Sequence, residues 1–241
     1  MSKIRVTETK LPELVSDKSR NLPLLRFYSD KLGMLTAQSL RYKEFPNHVT
    51  TVLKDCFDKQ VGKEELAIEE GLSASAGLYI EADPKYQNKG YGIGEMLRLA
   101  SIATILENKI KDFFIYSKKT AVYFHSKYKF KPAIEDFSQR DCALENIIKN
   151  CKNCYGEIRK EAEILLEKSR EDRTPEVQRK LCKEANSLLE KYLELVTQKK
   201  DEYKSHPFDI GMRMVLKEGE IKKNKVFFNN LFKKYNVDYQ I

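Results

Sequence analysis

The stretch from Ser73 to Asn108 constrains the fold more than any other part of the chain. It opens as a strand, "SASAGLYIEA", and passes through a loop that places Gly90, Gly92 and Gly94 within five positions, in a chain with only ten glycines. Ile93, Met96, Leu97, Ala100, Ala103 and Thr104 then recur at helical spacing. A strand that feeds a helix through such a loop brings free backbone N–H groups and the positive end of the helix dipole to one point, where an anion can sit. Gly90 and Gly92 let the backbone approach a phosphate with no Cβ in the way. The spacing differs from G-x-G-x-x-G, which needs a third glycine further on, and the Lys-Ser/Thr of a P-loop is missing. A plain turn between strand and helix is the alternative reading of the same residues.

The segments beyond Asn108 fit a sheet with helices. "DFFIYS" reads as an aromatic strand, "TAVYFHSKY" holds a short helix, a strand begins at Phe130, and "DIGMRMVLK" alternates as a strand again. This alternation predicts an α/β fold with a mixed central sheet. Residues 1–70 add strand-like pieces, "KIRVTE" and "HVTTVLKD", and a stretch with helical spacing around "LPLLRFYSDKL".

From Cys142 the period changes. Leu144, Ile147, Ile148, Cys151, Cys154, Tyr155, Ile158, Ala162 and Leu165 hold a three-four spacing that predicts one long amphipathic helix. "DRTPEV" interrupts it, with Thr174 as N-cap and Pro175 at the first helical position of a second helix through Leu195. Two such stripes joined by a short turn predict an antiparallel hairpin with arms of roughly 40 Å. The expected organisation is a domain of residues 1–141 and 205–241, with the hairpin of 142–204 inserted before the last strands. Such a hairpin is expected to contact a second copy or another protein.

Composition excludes several classes. With 41% hydrophobic and 33% charged residues among 241, the chain is of ordinary globular type. "MSKIRVTETK" lacks the apolar core of a signal peptide, and "LRLASIATIL" is too short to span a bilayer, so the expected location is the cytoplasm, without a membrane span. Five cysteines, an odd number, predict reduced thiols. Cys142, Cys151, Cys154 and Cys182 are the only set with metal-ligating spacing, but "CKNC" lies inside a helical pattern and no second close pair follows, so no metal is expected.

The net charge of +8 invites an anionic ligand or nucleic acid. It is unevenly spread: residues 142–203 carry 13 basic and 13 acidic side chains, whereas the last 25 residues carry six lysines against three acids. In "KKNKVFFNNLFKKYN", Val226, Phe227, Leu231 and Tyr235 read as one apolar face flanked by lysines. A C-terminal helix packed on the sheet explains that better than a nucleic-acid surface.

In "ADPKYQNKGYG", Ala82, Pro84, Gln87, Gly90 and Gly92 stand in the register Gln-x-x-Gly-x-Gly after a strand. Past the next strand come Ala121, Phe124, His125, Lys129, Phe130 and Pro132. Together the two stretches resemble the GNAT superfamily of acyl-CoA-dependent N-acetyltransferases, whose second element usually reads Ala-x-x-Phe-Tyr-x-x-x-Gly-Phe. The resemblance covers residues 76–132, with 209–217 fitting a last strand. It implies that the loop Gln87, Asn88, Lys89, Gly90, Tyr91 and Gly92 holds the pyrophosphate of acetyl-CoA, and that the backbone at Glu81 and Ala82 pairs with the pantetheine arm.

The resemblance also implies transfer of an acetyl group to a primary amine. That chemistry needs a neutral amine, a polarised thioester and a proton for the departing thiolate. Glu81 is the nearest carboxylate to act as base, and His125 or Tyr123 the candidate acid; lying two apart on a short helix, they diverge, so only one faces the site. A solvated Glu81 and an exposed, idle His125 are the plain alternatives, and His48 and His206 read as structural. The chain departs from the family with His125 in place of tyrosine, Lys129 in place of glycine and Lys118 in place of asparagine. A non-catalytic module that binds acyl-CoA or docks a protein through the hairpin is the second functional reading.

Overall fold

The computed structural model of the chain describes residues 22–42, 44–68, 74–87, 89–151, 155–198 and 208–241. The strand expected at "KIRVTE", together with Asn88, Cys154 and His206, lies outside them. Among the described residues are eight strands and seven α-helices, a mixed α/β content. They divide into two compact units, one reaching to Ile110 and taking in Val226–Ile241, the other spanning Lys111–Lys225.

The first unit is built on five consecutive antiparallel strands: β1 (Leu24–Ser29), β2 (Gly33–Tyr42), β3 (Phe45–Lys54), β4 (Gln60–Ile68) and β5 (Ala74–Ala82). The expected helix around "LPLLRFYSDKL" is a strand instead. Leu25, Phe27 and Ser29 are buried in alternation with exposed neighbours, and Phe27 sits opposite Leu35 of β2. Period-two burial on a paired backbone wins over a local pattern that also fits a helix.

Helix α1 (Ile93–Glu107) lies on this sheet, and twelve of its fifteen residues are buried. Met96, Leu97, Ala100 and Ala103 pack with Phe27, Leu35, Leu53 and Val61 in one core. The sheet's close approach to α1 is set by Gly62 of β4, where a Cβ would come within 2.7 Å of Ile93 Cγ2 and 3.0 Å of the Glu81 carbonyl. The last helix of the chain, α7 (Lys225–Lys234), completes the core with Phe232, followed by Tyr235 and Val237. Its buried face is thus Phe228, Phe232 and Tyr235; Val226, expected on that face, is 68% exposed.

The second unit holds a three-stranded antiparallel set. β6 (Asp112–Ser117) and β7 (Lys131–Pro132) flank β8 (Met212–Lys217), with Phe113 opposite Leu216 and Pro132 opposite Met214. Helix α2 (Val122–Lys127) follows β6, and α6 (Glu218–Lys223) follows β8.

Between β7 and β8 the expected single long helix is two. α3 (Phe137–Asn150) starts where the Gln139 N–H donates to the Asp136 carboxylate at 2.8 Å, and it ends at Cys151, whose backbone is extended. α4 (Gly156–Glu171) then begins afresh, and α5 (Pro175–Gln198) runs back along it. The apolar phase carries across the break because both helices bury the corresponding face: Leu144 and Ile147 of α3, Ile158, Ala162 and Leu165 of α4. These helices belong to the same compact unit as β6–β8. Asn186 of α5 joins them to the strand side, accepting from the Ile134 N–H and donating to the Ile134 carbonyl, both at 3.0 Å.

Candidate functional site

The turn leaving β5 is built around Asp83. Its N–H donates to the Val61 carbonyl at 2.9 Å, and its own carbonyl and carboxylate accept from the N–H groups of Tyr86 and Lys85, both at 2.8 Å. Gln87 folds back on the strand end: its Nε2 donates to the Ala82 carbonyl at 2.8 Å. The rings of Tyr86 and Tyr91 meet edge to face at 5.9 Å, which draws the two ends of the loop together. Gln87 therefore clasps the loop to Ala82.

Gly90 and Gly92 both take left-handed backbone, at φ 67° and 76°, a conformation that costs other residues about 1–2 kcal/mol. Among the described residues, a Cβ at Gly90 would meet only the Lys31 ammonium, 3.8 Å away. At Gly92 a Cβ would fall on the phenol oxygen of Tyr235. Helix α1 starts directly from Gly92 with no side-chain cap, and its first intrahelical bond runs from the Met96 N–H to the Gly92 carbonyl at 2.9 Å. Nothing in the helix itself accepts from the N–H groups of Ile93 and Gly94.

Side chains remote in sequence close in on this helix start. Glu95, in the first turn, accepts from Tyr235 Oη at 2.8 Å and pairs with Lys234. Burial and the Glu95 carboxylate together push the Tyr235 phenol far above its ordinary range. Lys31, from the β1–β2 turn, stands 5.8 Å from the Tyr91 ring centre. None of Lys31, Glu95, Lys234 or Tyr235 is marked by a motif.

Glu81 lies one residue before the end of β5, opposite Lys63 of β4. The phenol of Tyr79 hydrogen-bonds to Glu81, and that bond pushes the phenol above its usual value. Lys63 sits 5.3 Å from the Tyr79 ring centre and 3.1 Å from Glu65 Oε1. Glu81 is thus half-buried in a mixed-charge group on the β4–β5 ladder.

Tyr123 and His125 belong to α2, in the other compact unit. His125 is not an exposed side chain: at 4% exposure it lies against the rings of Phe124 and Phe130, centred 5.1 and 5.6 Å away. Tyr123 points elsewhere, toward Tyr192 of α5 and the ring of Phe208, and burial beside the Tyr192 phenol drives its own phenol far above the ordinary range. Lys129, where the family pattern has glycine, adopts φ 66°. The Lys129 N–H donates to the Ser126 carbonyl and the Phe130 N–H to the His125 carbonyl, a helix ending that favours glycine at this residue.

No protein-family model matches the chain, and no curated protein matches it. Among solved structures, a GNAT-family acetyltransferase from Staphylococcus aureus Mu50 is 23% identical, with 37% of this chain and 56% of that one covered at a TM-score of 0.33. PaiA N-acetyltransferase from Thermoplasma acidophilum, in complex with coenzyme A, is 20% identical over 37% of this chain and 55% of its own, at 0.31. A GNAT-family acetyltransferase from Elizabethkingia anophelis, with acetyl-CoA bound, is 20% identical over 36% and 57%, at 0.33. Over that part of its length the chain is similar to GNAT-family acetyltransferases. It spans just over half the length of these structures.

Among the described residues no group of His, Cys, Asp and Glu side chains could hold a metal ion, and no helix is long and apolar enough to cross a membrane.

Proposed function

We propose that the chain is an acyl-CoA-dependent N-acetyltransferase acting on a primary amine, with the segment from β5 through the glycine loop to α1 as the acyl-CoA site. The start of α1 carries this reading. Gly92 leaves the helix uncapped and Gly90 turns an open backbone face outward, while Lys31 stands beside it as a cation. A diphosphate suits such a place: it accepts from backbone N–H groups and gains from the helix dipole and a nearby ammonium. Glu95 occupies the same turn, but its charge is taken up by Lys234 and Tyr235.

An acyl-CoA bound there supplies an activated thioester. Glu81, at the same end of β5, is the residue proposed to take the amine's proton, through water if not directly. Neither candidate acid is well suited to protonate a thiolate. A phenol held as high as that of Tyr123 gives up its proton reluctantly, since an acid works best with a pKa near the working pH. His125 is engaged in aromatic packing. Those two observations favour, as the second reading, a module that binds acyl-CoA without turning it over.

Calorimetry with acetyl-CoA tests the site, and release of free CoA in the presence of a panel of primary amines tests the reaction. Binding that is lost in Gly90→Val, with an unchanged circular-dichroism spectrum, together with CoA release for at least one amine, is the expected result. Binding without release for any amine leaves the second reading standing. Absence of binding in the unaltered chain overturns both.

A further inference from the structure

Residues 161–168, EAEILLEK, and residues 184–191, EANSLLEK, agree at six of eight positions. The first octad lies on α4 and the second on α5, and the helices run antiparallel: Lys191 Nζ meets Glu161 Oε1 at 3.1 Å, while nearer the turn Gln178 Nε2 donates to the Ser169 carbonyl at 3.0 Å. The last position of one octad therefore stands beside the first position of the other, which relates the two octads by a local two-fold axis. A groove of about 430 Å³ lies between them, and it is lined by the same four positions of each octad. Leu165 and Leu188, the fifth positions, form its apolar floor, and the fourth positions are Ile164 and Ser187. Ile164 is half exposed, the one large aliphatic side chain of α4 or α5 found so. Glutamates occupy the first positions and lysines the last.

We infer that this α4–α5 face is a two-fold interface between copies of the chain. Two copies laid face to face can be related by an axis along the helices or by one across them. In the first case Lys168 meets Glu184 of the partner copy, and in the second it meets Glu161. In both cases each groove-lining carboxylate, Glu161 and Glu184, faces an ammonium and Ile164 is covered, because the local symmetry makes the rim complementary to itself. A hetero-partner has no reason to require both halves of the groove to carry one pattern. The 16 residues of α4 paired along α5 give a face about 24 Å long and roughly 20 Å wide, on the order of 1,000 Å² buried over two copies, which reaches the lower bound of a specific interface. A weak, concentration-dependent dimer is the form such an area supports.

Light scattering coupled to gel filtration of the full chain, at concentrations up to the order of 100 µM, reads the result directly. The unaltered chain is expected to move toward the mass of two chains as concentration rises. Ile164→Asp and Lys168→Glu, both at exposed positions, are expected to hold the mass of one chain with unchanged circular dichroism. Adding Glu184→Lys to Lys168→Glu restores the dimer if the axis runs along the helices, and adding Glu161→Lys restores it if the axis runs across them. A single-chain mass for the unaltered protein throughout, or a dimer indifferent to both Ile164→Asp and Lys168→Glu, overturns the inference, as does rescue by neither reversal.

Discussion

Arg98 of α1 and Glu64 of β4 meet inside the protein, Nη1 to Oε1 at 2.8 Å, with both side chains no more than 2% exposed. Ser101, one turn along α1, donates to the other carboxylate oxygen at 2.7 Å. This pair fixes the rotation of the helix that carries the glycine loop at its start. Removing one member leaves a charge buried without its counterion, at a cost of about 3–5 kcal/mol, whereas replacing both by apolar residues of similar volume is close to neutral. Arg98→Met is therefore expected to lower stability toward urea by that amount, and Arg98→Met with Glu64→Leu to recover most of it. A double variant no better than the single one would show that the pair itself, and not the orphaned charge, is what matters.

The same carboxylate gives a pH signature. Burial, opposed by Arg98 and by the Ser101 hydrogen bond, raises the pKa of Glu64. In the window between its ordinary value of 4.5 and its raised folded value, the native state holds more protons than the unfolded chain, so this residue's contribution falls as pH rises through that window. Glu64→Gln titrates at neither end. The stability of the natural chain minus that of Glu64→Gln, followed by urea unfolding from acid to mildly alkaline pH, is expected to decline with rising pH. A difference that grows instead would mean that Arg98 outweighs burial.

How legible was this in the sequence? The β5–loop–α1 segment stood out because glycines separate a strand-like run from a long stretch of apolar residues at helical spacing, and the strand at Asp112–Ser117 because of its aromatic, strand-prone composition. β1 did not. Leu24, Leu25, Phe27 and Tyr28 are apolar at both parities, so only pairing with β2, where Phe27 faces Leu35, decides that they form a strand. The break after Cys151 was hidden because the burial stripe resumes in phase at Tyr155 and Ile158. At the site, the glycines and Gln87 were legible by motif, whereas Tyr235 was legible only as part of an apolar face and nothing local pairs it with Glu95, 140 positions away.

Two lysines sit where glycine is the better residue. Lys109 (φ 54°) ends α1, with the Ile110 N–H on the Ile105 carbonyl at 3.0 Å, and Lys129 (φ 66°) ends α2 in the same way. Relief of the left-handed strain, about 1–2 kcal/mol, exceeds the extra unfolded-state entropy of glycine, about 0.5–1 kcal/mol. Lys109→Gly and Lys129→Gly are each expected to stabilise by roughly 0.5–1 kcal/mol in urea unfolding. Loss of stability at either site would mean that the lysine side chain contributes more than its backbone strain costs.

His125→Ala separates a packing role from an acid's role. Packed between Phe124 and Phe130, the truncated site should cost about 2–3 kcal/mol of stability, with acetyl-CoA affinity little changed. An acid would behave otherwise: kcat down roughly 100-fold with the unfolding midpoint nearly unmoved. Tyr123→Phe, which removes a half-buried hydroxyl beside Tyr192, should leave any turnover unchanged, where the loss of an acid would lower kcat.

Gly90 and Gly92 share a backbone conformation but not a neighbourhood, and that difference can be measured. An alanine at Gly90 carries only the left-handed strain, about 1 kcal/mol, because its methyl group meets nothing among the described residues nearer than the Lys31 ammonium at 3.8 Å. An alanine at Gly92 adds a collision with the Tyr235 hydroxyl, which is itself held in place by Glu95. Gly92→Ala should therefore be the more destabilising of the two by about 1 kcal/mol or more. Tyr235→Phe removes the colliding oxygen, so Gly92→Ala in that background should cost less than in the natural one, even though Tyr235→Phe alone loses its hydrogen bond to Glu95. The coupling is read from a double-mutant cycle in urea. Strict additivity would show that the loop and the residue after α7 do not meet as described, and that the glycine at 92 answers to φ alone.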